Sequence, residues 1–411
     1  MAYDVYSVRG LYTTLSEGWT YLNAHATPQV PERVAVGVAR AFRNATSVST
    51  GPTGSHSQRQ HAGRLEGDVY IENARGAVAD LLGVRADRVV LGSSLPVLYQ
   101  SLARAMEPML ARPGTSVVLS GLDAPEVSAP FSGLVDDTRW ALPDLATGEL
   151  PAFQYKDLVD GHTRFVALSA AHDLLGTVAP VSEIVEHVRS RSRAWTLVDV
   201  SSIAMYRPIV ADDWDCNILA IDLAQIGGPQ LAALVFRDTA MFKRIAPIAP
   251  TQDCDTYAKL ESPFSAGLAG GVGPAVDHVA RLGSVAAGSR RKRVQQSMAE
   301  LDAYMARLTN QMYTFLGTLP AAHIVGVTGE AAAGSTADRL PRLSFAVHGV
   351  PAATVHQRLF DNGLVTTIAP NTPLLENMGV GEIGGAVTIS AAPFNTEADI
   401  AHLTRVVASL A

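Results

Sequence analysis

Cysteine is scarce: Cys216 and Cys254 are the only two in 411 residues. A secreted scaffold usually carries more, in even sets, so two isolated cysteines suit a reducing cytoplasm. Long apolar runs are missing as well. No stretch reaches ~18 uninterrupted apolar residues, which argues against a membrane-spanning helix. The N-terminal MAYDVYSVRGLYTTL lacks a basic segment followed by an apolar one, so no signal peptide is expected. Positive charge is in short supply. Thirty-two Lys and Arg stand against 39 Asp and Glu, for a net charge of −7. A protein that holds nucleic acid through its phosphates needs a basic face, and this balance speaks against that role. There is no internal repeat and no low-complexity tract.

What is present is an ordinary globular composition, 47% apolar and 17% charged, with ample material for a core. The length exceeds what one compact core usually needs, so two domains are expected. Residues 1–22 read as an arm, 23–285 as a large domain and 286–411 as a smaller α/β domain. From Pro31 a helical pattern runs, with Val34, Val36, Val38, Ala39 and Phe42 favouring one face. Residues 44–62 are rich in Ser, Thr and Gly and read as a long loop, a common setting for function.

Beyond it, short apolar runs alternate with helical segments. Val89-Val90-Leu91 meets Gly92-Ser93-Ser94 and then a helix from Pro96. SVVLSG (116–121), TRFVALSA (163–170), WTLVDV (195–200), NILAIDLA (217–224) and QLAALVFRD (230–238) read as strands. PVSEIVEHVRSRS (180–192) reads as a helix with Pro180 at its start and Glu183 in its first turn. Continuous apolar strands alternating with helices indicate a mostly parallel sheet covered on both faces, with ligands beyond the C-terminal strand ends. A long helix from about Arg290 to Leu316 carries the basic run SRRKRVQQ, which reads as a solvated helix face. HIVGV, RLSFAVHG and AVTISAA, with two helices, make up the remainder.

Several blocks, in the right order across nearly the whole chain, resemble the class V aminotransferases, whose best-known members are cysteine desulfurases. YLNAHAT resembles the family's opening Y-L-D-x-A-A-T. TRFVALSAAHDLLGTVAPVSEI resembles its T-x-L-V…S-N-x-x-G…P-x-x-E-I block. WTLVDVSS resembles V-x-V-D-G-A-Q, and DCNILAIDLAQIGGPQLAALVFRD resembles D-x-D-F-x-x-F-S-G-H-K-x-x-G-P. AVTISAAPFNTEADIAHL resembles V-R-x-S-x-x-x-Y-N-T-x-E-E-I-D. The resemblance implies an α/β fold: a large domain with a mostly parallel seven-stranded sheet flanked by helices, the type I fold of pyridoxal-phosphate (PLP) transferases, plus a smaller C-terminal α/β domain. It implies a homodimer and PLP as cofactor. The chemistry needs a lysine to bind the cofactor and move a proton, an acid to hold the pyridinium nitrogen, and a turn at a helix N-terminus for the phosphate. An arginine usually clamps the substrate carboxylate.

The acid is present as Asp199 at the end of an apolar strand, where it either meets the ring nitrogen or caps the following turn. Gly92, Ser93 and Ser94 match the family's phosphate turn, with a plain Ser N-cap as the other reading. The lysine is missing. Aligning on Gly228-Pro229 puts Gln225 at its position, and the chain's four lysines are Lys156, Lys243, Lys259 and Lys292. An amide forms no Schiff base and is no base near neutral pH. The phosphate Ser and the His before the lysine correspond to Asp222 and Ala224. A carboxylate at Asp222 would oppose a phosphate unless protonated or turned away. Ser202 stands for the glutamine at the ring oxygen and Asp173 for the asparagine near it. The stacking histidine falls at Ala124 or Pro125, and the clamping arginine at Thr388. The threonine lent by a second subunit falls near Phe264, and the desulfurase's mobile cysteine has no counterpart between Ile368 and Gly379.

The expected function is therefore a class V aminotransferase/cysteine desulfurase-like protein that has lost covalent PLP chemistry. The alternative is an active aminotransferase or C–S lyase that holds the cofactor non-covalently. The resemblance leaves open whether PLP is bound at all. His56 and His61, with Arg59 and Arg64, lie in the loop that the family places near the cofactor. They either line the cleft, where His56 would meet a substrate or small anion, or are solvated. Their spacing matches no metal pattern, and no metal site is expected. GLAGGVGPAV (267–276) loosely resembles a dinucleotide fingerprint, but it lacks a preceding strand and a downstream acid, so a turn with close helix packing is expected. His172 and Asp173 are adjacent, a poor acid–base pair unless the loop bends.

Overall fold

A computed structural model describes residues 3–48, 64–249, 254–284 and 287–410. His56, with most of the 44–62 segment, lies outside the described residues, as does the expected boundary at 285.

Seven strands form the central sheet: β1 (Val89–Gly92), β2 (Ser116–Ser120), β3 (Asp137–Ala141), β4 (Thr163–Ser169), β5 (Trp195–Asp199), β6 (Ile218–Asp222) and β7 (Ala232–Phe236). Their order is β1-β7-β6-β5-β4-β2-β3. Only β7 runs against its neighbours, β1 and β6; the other pairings are parallel. Every residue of β1, β2, β5 and β7 is buried, because helices cover both faces of a sheet built by crossovers. The edge strand β3 differs. Its residues Asp137, Thr138, Arg139 and Trp140 are half-buried or exposed, and Arg139 pairs with Asp137 and Asp160. A strand of such polar residues shows no apolar run, so the pattern that exposes the other six misses it.

A second, four-stranded sheet holds β8 (Ala322–Ile324), β9 (Arg342–Val347), β10 (Thr367–Ile368) and β11 (Val387–Ser390), in the order β10-β11-β9-β8, all antiparallel. The N-terminal segment ties onto this part of the chain. Thr20–Tyr21 pairs in parallel with Leu364–Val365, Arg9 bonds Asp399 at 3.0 Å, and Tyr3 stacks on Tyr304.

Two helical expectations need correction. The helix Glu32–Asn44 buries Val34, Gly37 and Ala41, while Val36 and Phe42 are each 57% exposed. Small residues set that face. The segment 266–279 forms helices packed on it, and a Cβ at Gly270 would lie 2.1 Å from that of Ala41. The glycines of GLAGGVGPAV thus serve close helix packing. The basic run is also not simply solvated. In the helix Arg290–Gly317, Arg290 bonds Asp277 at 2.9 Å and Arg291 bonds the Val84 carbonyl.

Candidate active site at the C-terminal sheet edge

The register of the sheet gathers the candidate residues. Ala232 of β7 pairs with Gly92 on one side and Asp222 on the other. Two strand spacings therefore separate the Gly92 turn from Asp222, about 10 Å. Asp199 pairs with Ala220 of β6 and Ser169 of β4. The ends of β1, β6 and β5 thus bring Gly92, Asp222 and Asp199 to one edge.

Asp199 is 9% exposed. Its Oδ2 accepts from the Tyr99 hydroxyl at 2.7 Å and its Oδ1 from the Ser201 N–H at 2.9 Å. Burial lifts its pKa to about 6 against these bonds, with Asp173 adding repulsion. Tyr99 stands on the helix Leu95–Leu110, whose N-cap is Ser94. The Ser94 side chain makes no capping bond, Ser93 is exposed, and a Cβ at Gly92 would lie 2.7 Å from Leu98.

Gln225 sits in the short turn Leu223–Ile226 that follows β6. Its Nε2 donates to the His25 carbonyl at 3.4 Å, and the His25 N–H donates to Ser390 Oγ at 2.7 Å. The turn closes on Gly227, at φ 72°, where a Cβ would meet the Gln29 carbonyl at 2.9 Å, so only glycine fits. Asp222 caps this turn by accepting from Ala224 N–H at 2.9 Å, and its own N–H donates to Ser201 Oγ at 2.8 Å. Burial and Asp173 raise its pKa.

Asp173 and Ser202 are brought together, bonded to each other. Asp173 also takes an ion pair at 3.1 Å from Arg342 of β9. His172 is held by the backbone: its Nδ1 accepts from the Leu175 N–H at 3.1 Å, and burial lowers its pKa to about 4, with the Asp173 charge opposing. Thr388 belongs to the second sheet. It is buried in β11, and its hydroxyl shares a 2.8 Å bond with Ser344.

The Aminotransferase class-V family profile matches residues 20–403. The chain belongs to the class V aminotransferase family. An uncharacterised Mycobacterium tuberculosis protein is 34% identical to it over the full length of both chains. A cysteine desulfurase of Yersinia pseudotuberculosis is 23% identical, over 69% of this chain and 73% of that one. The apo cysteine desulfurase of Thermococcus onnurineus shares the fold, with a TM-score of 0.80 at 17% identity over 100% of this chain and 99% of that one.

PLP comes with the family, so its fit to this edge can be tested residue by residue. One end fits: Asp199 is at the strand end, and the Ser94 hydroxyl at the helix N-terminus on the same sheet edge makes no capping bond. The other end does not. Gln225 is an amide tethered to the N-terminal segment. Among the lysines, Lys259 is buried, with its Nζ bonded to the Phe242 and Ile245 carbonyls and to Asp255. Lys156, Lys243 and Lys292 stand on other elements, away from β5 and β6. Asp222 puts a half-buried carboxylate where a phosphate would be accepted. Ser202 donates its hydroxyl to Asp173 Oδ1, which also takes the Arg342 pair. A cavity of about 20 Å³ touches Gln225, Ser201 and Ser202 but not Asp199, Asp222 or Ser94. The covalent cofactor does not fit here.

Residues missed in the sequence complete this edge. Asp123 follows β2, accepts from the Ser169 N–H at 2.8 Å, and leaves a buried Oδ2 with no hydrogen-bond partner among the described residues. Burial pushes its pKa to about 7, with Asp199 and Asp173 adding repulsion. Tyr99, Asp123 and Arg342 each lie outside the matched motifs. The only signal for Asp123 was its place beside Ala124, where the family's stacking histidine falls. For Arg342 it was the loss at Thr388, because β9 lies beside β11 and pairs Arg342 with Ser390.

Proposed function

We infer that this chain is a non-covalent, degenerate class V homologue: it keeps the scaffold and acts as a binding or regulatory protein. Gln225 in the lysine position, tethered to His25, carries this reading. Asp222 falls where the resemblance puts a phosphate contact, and Asp123, Asp173 and Asp199 lie along the same sheet edge, where carboxylates disfavour an added anion. A homodimer working in the cytoplasm is the proposed setting, with a small molecule as the ligand of the old cleft. The test is Gln225→Lys, incubated with PLP and dialysed. The variant is expected to stay colourless, because the restored amine still faces Asp222 and the closed Asp173–Ser202 pair. A stoichiometric visible absorbance would mean that the rest of the cleft accepts the cofactor.

A second reading is favoured by Asp199 and the uncapped Ser94 turn: an active enzyme holding PLP non-covalently. Calorimetric titration of the unaltered chain with PLP separates the two. No binding at millimolar cofactor is expected, and saturable one-to-one binding supports the second.

A further inference from the structure

A separate groove of about 940 Å³ lies among the helices Val5–Arg9, Glu32–Asn44 and Val272–Val279 and the turn after the last. Neither Asp199, Asp222, Gln225 nor Ser93 lines it. Its volume is that of a small-molecule site, ~300–1,000 Å³. Val8, Leu11, Val36, Pro274 and Leu282 supply apolar wall. Val36 and Leu11 are exposed there, although the periodicity of the helix assigned Val36 to a buried face.

Three arginines line the same groove: Arg33, Arg40 and Arg281. Arg33, Val36, Gly37 and Arg40 follow i, i+3, i+4, i+7 spacing and share one helix face. The three guanidinium groups make no hydrogen bond or ion pair among the described residues. The three lining carboxylates are already engaged. Asp4 accepts from the Ser7 hydroxyl at 2.6 Å, Glu32 from Thr13 at 3.2 Å and Asp277 from Arg290 at 2.9 Å. Arg33 and Arg281 lie close enough to repel: burial first, then the Arg281 charge, lowers the pKa of Arg33, with Asp277 opposing. Unpaired guanidinium groups converging on an apolar groove complement an anion with a greasy body, since the planar fork takes a carboxylate two-pronged.

We propose that this groove binds a small amphipathic carboxylate, its head between Arg33 and Arg281 and its chain along Leu11, Val36 and Pro274. The probe is decanoate, titrated calorimetrically into the full chain, with decanol as the same chain lacking charge and acetate as the head lacking a chain. Decanoate is expected to bind at least about tenfold tighter than either control, the size of one charged hydrogen bond. Arg33→Gln and Arg281→Gln should each weaken it about tenfold, and Val36→Asp should abolish binding, all three variants unfolding at wild-type urea concentrations. The proposal is overturned if decanol binds as well as decanoate, if both arginine variants bind like wild type, or if the folded chain binds none. It also fails if wild type ignores decanoate while Val36→Asp converts a dimer to monomers in sedimentation, which makes the groove a subunit contact.

Discussion

Asp123 and Asp199 sit in surroundings that resist their charge, and this makes the fold sensitive to pH. Both carboxyls titrate above the usual carboxylate range, at about 7 and about 6, chiefly through burial. Between about pH 4 and 7 the folded chain keeps protons that the unfolded chain releases, so their contribution to stability falls as pH rises. Buried His25, His172 and His278, each held down to about 4 by burial, act the other way. Below about pH 6.5 the unfolded chain takes up protons that the folded imidazoles refuse, and stability falls as pH falls. Asp123→Asn keeps the acceptor for the Ser169 N–H and removes the buried charge. It should gain about 1–3 kcal/mol at pH 8 and little at pH 4 in urea unfolding. Equal changes at both pH values would contradict the burial argument. Arg342 is 1% exposed, pairs with Asp173 and lies over the Tyr206 ring. Because the Asp173 side chain is 66% exposed, the ion pair is partly screened and the buried stem matters more. Arg342→Ala should cost about 2–4 kcal/mol and Arg342→Met distinctly less, since methionine fills volume without needing a partner.

At the scale of elements, the turn after β6 depends on a glycine at positive φ. Gly227→Ala should cost about 2 kcal/mol or more, read by urea unfolding, because it adds both a strained φ and a contact with the Gln29 carbonyl. Six of the seven central strands were legible as apolar runs because both faces of those strands are covered. β3 was not, since an exposed edge strand carries charges that a period count takes for loop. The helix Glu32–Asn44 was legible as a helix but not in its orientation. Gly37 and Ala41 let the glycine-rich helices approach closely, and that backbone contact outweighed the larger Val36 and Phe42, left exposed. Asp199, Asp222 and Gln225 were legible as a cluster because motif order sets their strand ends. Tyr99, Asp123 and Arg342 were not, because each arrives from an element whose own pattern carries no chemistry.

Across the whole molecule, the scaffold of a class V aminotransferase persists around an edge that gathers Asp123, Asp173, Asp199 and Asp222. The resemblance places Asp222 at a phosphate contact, Gln225 at the lysine position and Asp199 at the ring acid. No helix among the described residues is long and apolar enough to cross a membrane. The proposed homodimer predicts a sedimentation coefficient for two 43.4 kDa chains, and a concentration-independent monomer would remove that part of the account. Whether the chain forms a covalent link to PLP can be measured directly. The purified protein is incubated with PLP, dialysed, and its visible spectrum recorded before and after borohydride. No stoichiometric absorbance and no borohydride-fixed cofactor mass is the predicted result; a band that borohydride bleaches, with one cofactor fixed per chain, would contradict it.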